Sequence, residues 1–265
     1  MTDQGVSVGL VILHGHDGDP VAGAIVRGIA GPLLEAGKRF ITRSVSDEDS
    51  ELRTYRLWAR VGGVAGVVLL DVTERDRRIQ LLRQIDMPFV ALVPETLEVD
   101  FPAVTVDAAA ASAALAAFLD THPARRRVHV TSLHVCAPFG GEDGSDDHVT
   151  ELLQTADIVG DAVRLGEQAV ETGPMALIID RDHDAVAVLG ALEERGVRVP
   201  EDVALICWGD SLVCQSASRP ITAIDRRGRE IGALLGSAAI GGMQDGARSS
   251  SVAAPAPVVV VRETT

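Results

Sequence analysis

Apolar positions in this chain come in short runs, separated by polar glycine-bearing loops and by amphipathic stretches. Residues 6–13 are almost continuously apolar and end in His14-Gly15-His16-Asp17-Gly18-Asp19. Such a run, followed by a polar loop, reads as a buried parallel strand feeding a helix. Val21, Ile25 and Ile29 then recur at helical spacing, and Gly37 is placed to end that helix in the left-handed conformation. Residues 39–44 read as a strand, 48–60 as a helix, and 66–70 as a third strand. A charged amphipathic helix over 75–85 leads to strands at 88–93 and 103–106, and Asp107 can cap an alanine-rich helix over 108–119.

The pattern then restarts. Residues 128–135 read as a strand and 138–147 as a loop rich in glycine and acid. A helix over 148–155 and a weaker strand at 162–164 follow. Residues 176–179 form a buried strand, and 183–195 a helix ended by Gly196. Strands at 203–207 and 221–224 precede a helix over 229–240 with Ile231, Leu234, Leu235 and Ala238 on one face. A soft segment, 241–257, leads to a last strand at 258–261. Repeated strand–helix units of this length predict α/β architecture, with doubly wound parallel sheets covered by helices on both faces. The restart near 121–126 predicts two such lobes facing each other across a cleft.

Composition narrows the function. At 265 residues the chain can bury a sizeable core. Its formal net charge is -14, and Lys38 is the only lysine among 24 basic residues. That balance opposes direct nucleic-acid binding, which needs a basic surface to displace the counterions on phosphate. No basic-then-apolar leader precedes residue 6, and no run reaches the ~18–20 apolar residues of a membrane span, so the expected location is cytoplasmic. Cys136, Cys207 and Cys214 are too few and too irregularly spaced for a disulfide framework or a zinc site, and read as buried free thiols. Gly62-Gly63-Val64-Ala65-Gly66 precedes a strand, whereas a dinucleotide loop must follow one.

Several phrases carry a resemblance to a known family. Gly196-Val197-Arg198-Val199-Pro200-Glu201-Asp202-Val203 lies between a helix and the next strand. Arg219-Pro220-Ile221-Thr222-Ala223-Ile224 is followed by Glu230-Ile231-Gly232, and the chain ends Val259-Val260-Val261-Arg262-Glu263-Thr264-Thr265. Val64-Ala65-Gly66-Val67-Val68-Leu69 opens the third strand. In order and spacing these resemble the effector-binding core of the LacI/GalR transcription regulators, and more distantly the periplasmic sugar-binding proteins. The resemblance implies a periplasmic binding protein-like type I fold: two lobes joined by three crossovers, near 121–126, 224–226 and 241–248. The expected lobes are 1–121 plus 225–246, and 122–224 plus 247–265. It also implies a homodimer and a small polar ligand (a sugar, polyol, nucleoside or organic acid) in the interlobe cleft. The resemblance begins at the first strand, so DNA would be reached only through a helix-turn-helix headpiece that the chain as given does not include.

In open α/β sheets, ligands meet the loops at the carboxyl ends of strands. By that rule the candidates are His14, His16 and Asp17 after the first strand, Asp71 after the third, and Glu95 after the fourth. In the second lobe they are Arg181, Asp182, Trp208 and Asp210, with Arg226 in the returning segment. The glycine-flanked His14–Asp19 loop is open to three roles: metal ligation, ligand contact, or a loop satisfying itself. Asp180, Asp182 and Asp184 straddle a helix start, where capping competes with ligand contact. Trp208 can stack on a ligand or simply pack. The chain departs from the family at four places: Ala65 replaces the acid of the third-strand phrase, no arginine lies between Val128 and Val163, Gly209 replaces an aspartate, and Arg181 replaces an asparagine. No nucleophile elbow, P-loop or Ser-His-Asp set points to an enzyme, and no cofactor or metal is implied. The leading expectation is a dimeric effector-sensing regulator core. The alternative is a stand-alone cytoplasmic binding protein, or a degenerate core acting through protein contacts.

Overall fold

Helix ends set the spacing of the strand–helix units. Gly37 and Gly196 both adopt positive φ (67° and 73°) just past a helix. In each case the following amide reaches back to a last-turn carbonyl, Lys38 N to Leu33 O at 2.8 Å and Val197 N to Leu192 O at 3.1 Å. Glycine pays no Cβ penalty there, so the chain can reverse directly into the next strand. The computed structural model describes residues 6–13, 20–122, 124, 126–132, 151–245 and 250–265.

The first compact unit comprises residues 1–107 and 227–255. Its elements are β1 (Ser7–Leu13), α1 (Pro20–Glu35), β2 (Arg39–Val45), α2 (Glu48–Val61), β3 (Val64–Leu69), α3 (Arg77–Gln84), β4 (Phe89–Pro94) and β5 (Ala103–Val106). The second unit, residues 108–226 and 256–265, begins with α4 (Ala110–Thr121), β6 (Arg126–Ser132), β7 (Glu151–Thr155), α5 (Ile158–Thr172) and β8 (Met175–Ile179). It continues with α6 (Asp182–Glu194), β9 (Val203–Cys207), α7 (Leu212–Gln215) and β10 (Thr222–Asp225). The chain then returns α8 (Gly228–Asp245) and β11 (Ser251–Ala253) to the first unit and ends with β12 (Val258–Val260) in the second.

The first sheet runs β11-β5-β4-β3-β1-β2, parallel throughout. The second runs β12-β10-β9-β8-β6-β7, with β12 alone antiparallel. These are the two doubly wound sheets that the alternation predicts, and the chain passes between the units three times. Relative to the expected lobe boundaries, α4 and the stretch before Ala256 change sides. Ala111, Leu115 and Leu119 of α4 pack on Ala176, Ile178, Ala204 and Ile206 of the second sheet. The expected helix 229–240 does return to the first unit, where α8 lies along α1 and against β3 and β4.

Three local expectations are corrected. Residues 151–155 are the edge strand β7, not a helix, and the expected strand at 162–164 lies inside α5. Ile158, Ala162, Leu165 and Ala169 are buried at helical spacing, and Asp157 caps the helix by accepting from Gly160 N at 2.9 Å. Three residues are too few to tell a strand from one face of such a helix. The soft segment 241–257 is ordered in part: α8 runs on to Asp245, and β11 pairs with β5. The N-cap position of α4 is Ala109, two residues after Asp107, and its own side chain makes no cap bond.

Candidate functional site

Period-2 alternation along three neighbouring strands assembles a polar cluster at the end of the second sheet. Val128 and Val130 of β6 point into one core, so His129 and Thr131 point to the opposite face. On β8, Ala176 and Ile178 lie on that opposite face, and Asp180 follows them in phase. On β9, Ala204 and Ile206 do the same, and Trp208 follows. The ladder continues past β9, because Trp208 N donates to Ile179 O at 2.9 Å.

His129 Nε2 lies 2.5 Å from Asp180 Oδ1, and both side chains are largely buried. The His129 ring stacks on Trp208 with centroids 5.6 Å apart and planes at 29°. Burial pushes the Asp180 carboxyl up. The His129 hydrogen bond and charge, the Thr131 hydroxyl and the charge of Arg226 together outweigh that and hold it below the usual carboxylate range. With Asp180 ionised, the imidazole donates through Nε2 and its ring plane is fixed against the indole. Thr131 and Arg226 thus belong to the same polar centre.

The loops after β8 and β9 are joined to each other. Asp182, the first residue of α6, accepts from His183 N at 2.8 Å and faces His183 Nδ1 at 2.9 Å. It also bonds the Ser211 side chain. Burial raises the Asp182 carboxyl, and the Ser211 and His183 hydrogen bonds more than offset that, so it too sits low. Ser211 in turn caps α7, accepting from Val213 N and Cys214 N. The N-cap position of α6 is Arg181, which makes no cap bond, so neither Asp180 nor Asp184 is a cap. Asp184 instead holds Arg181 through Nε at 2.7 Å.

Asp210 is engaged as well. Arg262 Nη2 donates to its Oδ2 at 2.8 Å, while Nη1 donates to Ile221 O at 2.8 Å. Thr264 completes the tie, with its hydroxyl donating to Leu205 O at 2.7 Å and accepting from Thr222 N at 2.9 Å. The final residues are therefore knitted into the second sheet, and Asp210 is their anchor. Arg226 follows β10, half-buried.

In the first unit, Asp71 follows β3 in the left-handed region (φ 53°), and Glu95 follows β4; both are exposed. Glu95 N donates to Val106 O at 2.9 Å. His14, His16 and Asp17 lie outside the described residues. The sequence reading missed His129 and treated Asp180 only as a possible cap. Its signal was a histidine alternating with valines in Arg126-Arg127-Val128-His129-Val130-Thr131. Among the described residues, no three His, Cys, Asp or Glu side chains gather as metal ligands.

Two six-stranded, mostly parallel sheets in these strand orders give the chain the periplasmic binding protein-like type I fold. Residues 137–265 match the family described as periplasmic binding protein-like domain. The chain is similar over 98% of its length to a LacI family transcriptional regulator from Bifidobacterium animalis subsp. lactis. That match has 26% identity, 97% coverage of the other chain and a TM-score of 0.76. A regulatory protein of the LacI family from Chloroflexus aggregans shares the fold at 18% identity, with 98% of each chain covered and a TM-score of 0.73. So does the transcriptional regulator CelR in complex with cellobiose, at 22% identity, covering 98% of this chain and 84% of that one with a TM-score of 0.71. No curated protein sequence matches the chain. The resemblance to LacI/GalR regulator cores carried by the sequence phrases is borne out, and the chain is built as those cores are.

Proposed function

We propose that this chain is the effector-sensing core of a LacI/GalR-type transcription regulator, working in the cytoplasm as a homodimer. The observation that carries the reading is the likeness to a LacI family regulator along nearly the whole chain. The effector is a small, neutral, hydroxylated molecule met by the loops at the carboxyl ends of the strands. Trp208 offers a flat aromatic face, and Asp180 and Asp71 offer acceptors for hydroxyl groups, with Asp182 already engaged by Ser211 and His183. An anionic effector would have to draw on Arg226, because Arg181 is already paired with Asp184. His14, His16, Asp17, Glu95 and Arg226 complete the proposed contact set, whereas Asp210 contributes through Arg262 and the terminal segment.

A second reading has its own support. Asp210, Asp182 and Arg181 are all satisfied within the chain, as in a core that acts through protein contacts without an effector. One experiment separates the two. Thermal unfolding is followed with cellobiose, maltose, sorbitol, adenosine and citrate, each at millimolar concentration. The sensing reading expects a sugar or polyol to raise Tm in a concentration-dependent way, since binding to the folded state alone stabilises it. Trp208→Ala should abolish the shift while the chain stays folded. No shift with any of the five favours the degenerate core, and a shift with citrate alone overturns the neutral ligand.

A further inference from the structure

Behind the end of β3 lies a buried charged network with no part in the cluster just described. Arg78, in the first turn of α3, sends Nε to Asp76 Oδ1 at 2.9 Å and Nη2 to Asp76 Oδ2 at 2.6 Å. Its Nη1 donates to Glu51 Oε1 at 3.3 Å, and Glu51 also accepts from the Tyr55 hydroxyl at 2.5 Å. Side-chain exposure is 12% for Arg78, 5% for Asp76 and 1% for Glu51. Burial pushes the Tyr55 phenol well up, so it keeps its proton and its role as donor. The guanidinium has two further acceptors, and both are backbone: Nη2 donates to Leu70 O at 3.0 Å and Asp71 O at 3.1 Å.

Stability alone is a poor reason for such a network. Replacing a buried ion pair with packed apolar side chains is often neutral or stabilising, because desolvation offsets the attraction. What the network accomplishes is local and geometric. Asp71 carries positive φ without being glycine, a conformation that persists only where its surroundings over-determine it. Arg78 grips the carbonyls of Leu70 and Asp71, and the next side chain, Val72, is anchored in the core at 5% exposure. Asp71 is therefore exposed on a loop whose backbone is rigidly set, at a strand end where open α/β sheets place ligands.

We propose that Arg78 is a positioning residue for effector binding, its guanidinium clamping the Leu70 and Asp71 carbonyls so that Asp71 meets a hydroxyl of the ligand. This rests on the sensing reading above. The test titrates the full chain by calorimetry with the panel sugar or polyol that stabilises it best. Arg78→Lys keeps the charge but loses the fork, and is expected to raise Kd about tenfold. The melting temperature falls as well, because Asp76 and Glu51 lose donors, so Kd is compared on the folded variant. Asp71→Asn is expected to raise Kd by a similar factor. The double variant should lose little beyond either single one, a non-additivity that a purely structural role would not produce. Should Arg78→Lys fold poorly, Glu51→Gln, which keeps shape and the tyrosine contact, should still raise Kd about threefold. Wild-type affinity in a folded Arg78 or Glu51 variant, or additive losses in the double variant, would overturn the proposal while leaving the sensing reading intact. If no sugar or polyol binds the wild-type chain, both fall together.

Discussion

Asp180 shows how a single residue can be legible in type and illegible in role. As an acid beside a helix start, it reads as a cap, because orphan amides and the helix dipole favour carboxylates there. Its place one pleat beyond Ile178 directs it instead to the sheet face, where His129 and Thr131 complete its hydrogen bonds. The alternation in β6 contained that information, but only once β6 and β8 were known to be neighbours. Because the folded chain holds the Asp180 carboxyl below its unfolded value, it contributes stability that is fully present above about pH 4. That contribution is lost as pH falls through the lowered folded-state value. Asp180→Asn is accordingly expected to cost about 1.5–3 kcal/mol at pH 7, the scale of a hydrogen bond to a charged group. Urea melts at pH 7 and pH 3 check this: the gap between variant and wild type should shrink at the lower pH. An equal gap at both would show that the ionised carboxylate is not what stabilises the cluster.

At the scale of elements, long segments with one clear periodicity were read correctly, as were short apolar runs such as 103–106 and 203–207, whereas 148–155 and 162–164 were misread. The strand-helix order of the first unit was legible because β1, β3 and β4 are near-continuous apolar runs and α1 and α2 carry a stop or a cap in sequence. Asp47 before α2 and Gly37 after α1 are examples. Residues 151–155 gave no such signal: an edge strand buries little, and Leu152 is 58% exposed. Pairing with β6, a tertiary event, makes it a strand. The same holds for β11, three exposed residues that are ordered by β5. Helix contacts are set by small residues that sequence periodicity does not rank. Gly28, Gly232 and Gly236 let α1 and α8 touch backbone to backbone, and a Cβ on Gly232 would collide with the Ile25 carbonyl and with Gly28. Gly232→Ala gains helix propensity of up to about 1 kcal/mol. It must nevertheless force the helices apart, so a net loss of about 1–3 kcal/mol is expected, as for an overpacked core. The measurement is the urea midpoint at unchanged slope. A variant as stable as wild type would mean that α8 can shift at no cost.

For the molecule as a whole, charge and fold point to the same division of labour. The fold was legible because two rounds of strand-helix alternation each demand their own sheet, and the ordered phrases fixed the return of α8 and β12. Charge adds the expectation that this chain does not bind a duplex by itself. Its net charge is -14, and many arginines already face carboxylates: Arg77 with Glu48 and Asp49, Arg126 with Glu151, Arg127 with Asp120 and Arg198 with Asp202. Exposed pairs of this kind add little stability, but they leave each arginine with a local counter-charge instead of a phosphate. Duplex binding gains its affinity from releasing counterions as phosphates are neutralised, and an acidic surface repels the duplex before that exchange can begin. Two copies of the chain, each at -14, repel one another as well, so a homodimer needs a covered apolar face to outweigh that repulsion, and a stable one would bury about 1,200–2,000 Å² in total. Sedimentation velocity on the chain at tens of micromolar, mixed with a fluorescent duplex of about 30 base pairs at physiological salt, tests both expectations at once. The protein boundary should move as a dimer, and the labelled duplex should sediment as it does alone. A monomer boundary at that concentration would remove the homodimer. Co-sedimentation of duplex with protein, strengthening as salt is lowered and differing between duplex sequences, would show that this chain reads DNA by itself.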